Sequence, residues 1–522
     1  MNFQEKYTFS KIVDGALCAG RPILRPVFCA RGGRLAAFCR KRIDKPRGGD
    51  VVLRMVRFFM KQKSAGVGRF QTEKGREVKT MKNARPITPE MIAAFKASYD
   101  ADKEARVLTA AASHSPLGKA AMDPMAAARL ENSFSVEVKT RGITAQQHSG
   151  RCWLFASMNV MREIVAEKCN LEKFELSGNW LGFWDKFEKI NFFLESVLDC
   201  TELPVADRTL DWVLNGISDG GQWDMMVSIV KKYGIVPASV MPETAQSCNT
   251  AELMRLLNTK LRKDAIELRA LAAAGGDTAA RKDEMLAELF KALCICFGRP
   301  VDRFDFAYTD KDGVYHVDRG MTPVSFYEKY IGLALEDYVS VIHAPTADKP
   351  FGKTYTVKYL GNVVEGRVRH LNLPMEELKA LAVAQLKAGE PVWFGSDCGK
   401  FGNRDDGIWD PDSFVYGELL GGLDLGLTKA ERLDYRDSAM NHAMVLCGVN
   451  LDENGRPDRW KIENSWGETA GRKGYFVASD SWFDQFVYQA VVHKRFLSDE
   501  QRQALSAEPI ELAPWDPMGS LA

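Results

Sequence analysis

Between Cys152 and about Cys169, Trp153, Phe155, Met158, Met161, Ile164 and Val165 recur three and four residues apart. That period predicts a long helix buried over much of its surface. The run "FELSGNWLGFWDKFEKINFFLE" (174–195) predicts a second, aromatic-rich helix. Upstream, Thr88-Pro89-Glu90-Met91 offers a capping hydroxyl and a proline suited to the first helical position, so order is expected to begin there. Residues 250–297 predict a helical hairpin. Leu253, Leu256, Leu257 and Leu261 form one face, and Gly275-Gly276-Asp277-Thr278 supplies the break and the next cap.

After residue 300 the texture changes. "TYTVKYL", "VVEGRVRH", "PVWFGSD", "HAMVLCGV", "RWKIENSW" and "GYFVAS" are short β-branched or aromatic runs bounded by Gly, Asp and Asn. This is strand chemistry. Helices first and sheet later predict an α+β protein in which a helical lobe faces a β lobe across a cleft. At the far end, Ser498-Asp499-Glu500-Gln501 has capping-box spacing and opens a short helix. The closing "SAEPIELAPWDPMGSLA" contains Pro509, Pro514 and Pro517, which preclude a long helix. Its Ile510, Leu512, Trp515, Met518 and Leu521 are too apolar for a solvated tail, so it is expected to lie extended in a groove.

Length and composition narrow the class. The 522 residues exceed one ordinary core, and 46% hydrophobic with 27% charged residues describes a globular chain without an 18-residue apolar run. The net charge of +1 hides an asymmetry: residues 1–85 carry 21 Lys/Arg against 6 Asp/Glu. The basic leader, residues 1–84, reads as a poorly ordered extension or as an upstream start with Met81 as the true first residue. A transit peptide is the other reading of an Arg-rich, acid-poor leader, and nucleic-acid binding through its charge is the alternative function. Eleven cysteines lie scattered, with no CxxC; Cys294 and Cys296 are the closest pair. This fits free thiols in a reducing compartment and a cytoplasmic location.

The candidate chemistry centres on "QQHSGRCWLFA" (146–156). Cys152 opens the long helix, where unpaired amides and the helix dipole favour a thiolate. His442, in "SAMNHAMVLCGVN", heads a predicted strand, and Asn464, in "KIENSWGE", follows 22 residues later. A cysteine, a histidine and an asparagine in that order are the parts of a thiol hydrolase. Asn464 would orient the imidazole, the Trp466 ring would shield that bond, and Gln146 with the Cys152 N–H would receive the oxyanion. His148, four residues before Cys152, has no further ligands nearby and reads as a turn residue rather than a metal site. Gly352-Lys353-Thr354 mimics the end of a phosphate-binding loop, but the required first glycine is Ala347. "GELLGGLDLGLT" (417–428) reads as a surface loop. Neither HExxH nor GxSxG occurs, so metalloprotease and serine-hydrolase readings lose their main support; no metal or cofactor is expected.

"Q-x-x-S-G-x-C-W" resembles the active-site segment of papain-like cysteine peptidases. "SGRCWLFA", "GNWLGFWDKFEK", "DGGQWDMMVSIVKKYGIVP" (219–237), "MNHAMVLCGV" and "WDPMGSLA" resemble the branch formed by the bleomycin hydrolases and bacterial aminopeptidases C, from about residue 86 to 522. The resemblance implies a papain-like helical lobe over 85–245, a helical insertion over 246–300 and a mixed oligomerisation insertion over 301–370. It further implies a β lobe over 371–497 and a C-terminal arm over 498–522 that enters the cleft. Gly220 and Gly221 would pair with extended substrate, and the Ala522 carboxylate would meet a substrate's α-ammonium group. The implied activity is a cytosolic cysteine aminopeptidase acting on peptides with a free N-terminus and on bleomycin-like amides, assembled as a ring of six. Ser149 stands where secreted papain-like enzymes carry a disulfide cysteine. The 290-residue interval from Cys152 to His442 exceeds the usual papain-like spacing, matching the insertions. A catalytically inactive scaffold is the remaining alternative.

Overall fold

The computed structural model describes residues 84–522. The basic leader, with its proposed nucleic-acid role, lies outside the described residues. Helix α1 (Pro89–Ala101) starts as the sequence dictates: the Thr88 hydroxyl accepts from Met91 N and Pro89 occupies the first turn. Neither α1 nor the following α2 (Lys103–His114) buries a residue.

The core is built on α3 (Cys152–Lys168), which buries Trp153, Leu154, Met161 and Val165 completely. Fully burying side chains of this size contributes about 1.5–3 kcal/mol each. Helix α4 (Gly178–Asp199) packs on it, and the Ser177 hydroxyl caps its N-terminus by accepting from Trp180 N. The helix predicted from residue 174 therefore starts later. Ser177 prefers the cap, and its backbone N–H donates to Val236 O instead of entering a helix. Helix α5 (Trp223–Tyr233) follows the Gly220-Gly221 turn.

Helices α6 (Ala251–Ala273) and α7 (Thr278–Phe297) form the hairpin, with Asp277 capping the second. Leu253, Leu257 and Leu261 are buried in register. Leu256, expected on the same face, is 51% exposed, because it falls on the flank of the i, i+4, i+8 stripe.

Strands β1 (Phe304–Thr309) and β2 (Tyr315–Met321) make a separate antiparallel hairpin. The rest join one twelve-stranded mixed sheet: β3 (Tyr338–Ile342), β4 (Lys353–Val357), β5 (His370–Asn372), β6 (Val392–Ser396), β7 (His442–Leu451), β8 (Pro457–Glu463), β9 (Tyr475–Ser479), β10 (Val487–His493) and β11 (Ile510–Leu512), with three two-residue strands. Along the sheet the order is β11-β4-β5-β3-β10-β6-β7-β8-β9. Within 301–370, β3, β4 and the start of β5 extend the main sheet, while the β1–β2 hairpin pairs only with itself. One expectation needs correction. "VVEGRVRH" is not a strand: Gly366 N–H turns back to Val363 O, and Val363 and Val368 are buried as loop residues. Helix α8 (Met375–Lys387) packs against β7 and β10.

Candidate active site

Sequence order alone separates Cys152 from His442, but the sheet and α3 bring them together. Cys152 is the first residue of α3, and the Ala443 N–H points at its Sγ from 3.5 Å. Ala443 follows His442, the first residue of β7, which is in register with Ser396 of β6. Trp393, also on β6, fixes α3 to the sheet by donating its indole N–H to Trp153 O at 3.1 Å. Helix α3 has no side-chain N-cap, so no hydroxyl or carboxylate competes for its first-turn amides beside the thiol.

The segment before Cys152 is held without a disulfide. Ser149 Oγ donates to Gln146 O at 2.6 Å and accepts from Arg151 Nε at 2.9 Å. Arg151, 1% exposed, is anchored bidentately by Glu243 at 3.1 and 3.0 Å. These contacts support the left-handed conformation of Gln147, φ 57°, which costs a non-glycine residue about 1–2 kcal/mol. Gln146 Nε2 donates to Ser149 O at 2.6 Å, and Gln146 Oε1 accepts from Ser465 Oγ at 2.7 Å. The Ser149 carbonyl, which can only accept, settles which end of the amide is which, leaving the second Nε2 proton for a substrate oxygen.

On the opposite wall His442 Nε2 donates to Asn464 Oδ1 at 2.8 Å, and the same oxygen accepts from Ser465 N at 2.8 Å. Nδ1 is thereby left as the nitrogen free to take a proton. Trp466 stacks on the imidazole with centroids 5.0 Å apart and planes at 27°, and Arg404 covers its ring at 4.9 Å. Trp466 therefore shields the His442–Asn464 pair. His148 is exposed, its N–H donating to Cys248 O at 2.9 Å, as suits a turn residue.

The electrostatics differ from the sequence expectation of a thiol depressed by its helix. Burial pushes the Cys152 thiol up to about 11, against the Ala443 N–H, with the charge of Asp219 adding to the rise. Burial likewise pushes His442 down to about 4, against the bond to Asn464. Burial thus penalises a charge on either group, and an opposite charge beside it offsets that penalty.

A second set of contacts brackets the nucleophile. Asp219 accepts from Gly150 N at 3.1 Å, from Lys186 Nζ at 2.5 Å and from Thr250 Oγ1, while its main-chain oxygen accepts from the Trp153 indole at 2.8 Å. Burial opposes its charge, but Lys186 and these donors outweigh it and hold the carboxyl below its usual range. Lys189, one turn along α4, donates to Ser218 O at 3.0 Å and to Gly220 O. A Cβ on Gly221 would stand 2.5 Å from the Trp153 ring; one on Gly220 would stand 2.1 Å from Leu521 O. The loop thus lies flat on Trp153 and receives the end of the chain.

That end spans the cleft. Ser520 Oγ donates to Met440 O, two residues before His442, at 2.8 Å, while Leu521 and Ala522 abut Gly220 on the Cys152 side. Strand β11 runs parallel to β4, and Lys349, 3% exposed, pairs with Asp516 at 2.9 Å. The Arg208 guanidinium sits 3.7 Å over the Trp515 ring. Ala522 borders a 260 Å³ cavity lined also by Phe192, Trp212, Tyr359 and Lys189.

Cys152, His442, Asn464, Gln146, Gly220 and Ala522 therefore converge as a site. Sequence reasoning missed Ser465, Asp219 and Lys186. Ser465 and Asp219 adjoin singled-out residues, but Lys186 carried no signal beyond a charge in an apolar helix. The Peptidase C1-like family model matches residues 86–519. Aminopeptidase C of Streptococcus thermophilus is 49% identical over 433 residues, covering 82% of this chain and 97% of the relative. Aminopeptidase G of Lactobacillus delbrueckii subsp. lactis is 42% identical over 82% of this chain and 98% of its own. The crystal structure of PepW from Lactobacillus rhamnosis HN001 superposes with a TM-score of 0.82 at 48% identity, covering 84% of this chain and 99% of that one. With a papain-like fold, a cysteine–histidine–asparagine constellation and a match of this extent, the chain belongs to the Peptidase C1-like family.

Proposed function

We propose that the protein is a cysteine aminopeptidase. The observation that carries the reading is the course of the C-terminal segment, which runs from Met440, two residues before His442, to Gly220, in the loop that rests on the Trp153 next to Cys152. A chain end there blocks the cleft to longer polypeptides on one side and sets a carboxylate where a free α-ammonium group would bind. Cys152 attacks the first peptide carbonyl, with its proton passing to His442 Nδ1. The oxyanion meets the Cys152 N–H and the free Gln146 Nε2 proton, and removing one such donor typically costs about 10²–10³ in rate. His442 then protonates the leaving amine, and water, deprotonated by the same imidazole, hydrolyses the acyl-thioester. The backbone of Gly220 would pair with the substrate's first residue.

Peptides with a free N-terminus are the substrate class, and bleomycin-like amides, which also present an amine near a hydrolysable amide, fall within it. A cytoplasmic location and a six-copy ring belong to the same proposal, supported by the family resemblance and by the eight free cysteines of the described residues. Release of a fluorophore from aminoacyl amides tests the chemistry: wild type should turn over and Cys152→Ala should not, and equal rates for the two would remove the assignment.

A further inference from the structure

One buried guanidinium touches all three segments that build the site. Arg162, on α3 ten residues after Cys152, is 2% exposed. Its Nη2 donates to Glu463 Oε1 at 2.5 Å and to Gly142 O at 2.7 Å. Glu463, 1% exposed, is the last residue of β8 and immediately precedes Asn464. Gly142 stands four residues before Gln146. Around this centre the same segments are stitched again: Thr144 Oγ1 donates to Asn159 Oδ1 at 3.1 Å, Gln146 N to Ser465 O at 2.9 Å, and Gly467 N to Thr144 O at 3.1 Å.

We infer that Arg162 and Glu463 are positioning residues of the peptidase site, an interlobe ion pair that sets the nucleophile helix, the Gln146 loop and the Asn464 strand in register. The inference rests on the aminopeptidase reading for its substrate, though not for its geometry. Hydrophobic packing alone would join α3 to the sheet with tolerance for sliding. A charge pair with one acceptable geometry does not, and catalytic alignment is lost by displacements of about 1 Å.

The carboxyl is also poised to titrate. Its Oε2 has no hydrogen-bond partner, and burial pushes Glu463 up to about 7, against the attraction of Arg162. The other charged or titratable groups facing it are Glu163 on α3, Lys461 on its own strand, Cys447 on β7, and Tyr475 on β9; Glu137 lies beyond, paired with Lys461. Because the folded value is raised, Glu463 stabilises the fold below its ordinary carboxylate range, and that contribution is lost as pH rises through about 7. The ionised form, present above that pH, is the one that grips Arg162.

The test is Glu463→Gln, which keeps size and an acceptor but removes the charge, read by aminoacyl-amide turnover and by the rate at which iodoacetamide alkylates Cys152. The expected result, read at a temperature where the variant stays folded, is kcat lowered about 10- to 100-fold with KM within twofold, alkylation slowed in parallel, and loss of the activity step near pH 7. Should Glu463→Gln not fold, Arg162→Lys, which keeps the charge without the fork, carries the same measurements. Unchanged kcat and alkylation in a folded variant, or a fall in activity matched only by a fall in melting temperature, overturns the inference. Alkylation separates the two readings, because it reports the alignment of Cys152 even if no aminoacyl amide is a substrate.

Discussion

Ser465 shows how a residue with no chemistry of its own enters the reaction. Its hydroxyl donates to Gln146 Oε1 and its main chain donates to Asn464 Oδ1, so one residue orients both the oxyanion donor and the imidazole's partner. Ser465→Ala leaves the backbone bond and removes one of the two bonds that orient the Gln146 amide. Steady-state kinetics should show kcat reduced about tenfold with KM nearly unchanged, a fraction of the loss expected for deleting a donor outright. Asp219→Asn tests two effects of opposite sign. The carboxylate raises the Cys152 thiol, so its neutral analogue should move the pH midpoint of Cys152 alkylation downward. Meanwhile Lys186, 0% exposed, loses its counter-charge, and breaking a buried pair costs about 3–5 kcal/mol, so the melting temperature should fall. A midpoint that moves upward would contradict the assigned field.

At the scale of elements, the role proposed for the C-terminal arm is to turn a general thiol site into one for chain ends, and the arm is held by Lys349–Asp516 and by β11. Lys349→Met should loosen the arm, so that carboxypeptidase releases Ala522 and Leu521 from the variant faster than from wild type. How much of this was legible follows from what each pattern encodes. The apolar period marked α3 within a residue, and the Asp277 cap placed the hairpin break, because local spacing and capping decide both. The order Cys152, His442, Asn464 gave the parts of the site through motif chemistry. The merging of β3 and β4 into the main sheet was hidden, since strand runs carry no record of their partners. Arg162, Glu463 and Lys186 were hidden for a related reason: a charge in an apolar stretch reads the same whether solvated or paired, and its partner lies far along the chain.

Across the whole molecule, burial has neutralised histidines in three places. His343, His370 and His442 are each pushed down to about 4 by burial. Because these folded values are depressed, their contribution to stability is present above the unfolded value near 6.5 and is lost as pH falls toward 4. Melting temperature should therefore decline between pH 6.5 and 4, and His370→Asn, far from the thiol in the Ser340–Gln489 network, should flatten that decline without moving the pH profile of catalysis. The most direct measurement is the ratio of kcat/KM for a fluorogenic aminoacyl amide and its N-acetylated form, taken on the full chain and on one ending at Gly519. The account predicts a strong preference for the free amine in the full chain that collapses on truncation, with Cys152 still reactive in both. An unchanged preference in the shortened chain would contradict it.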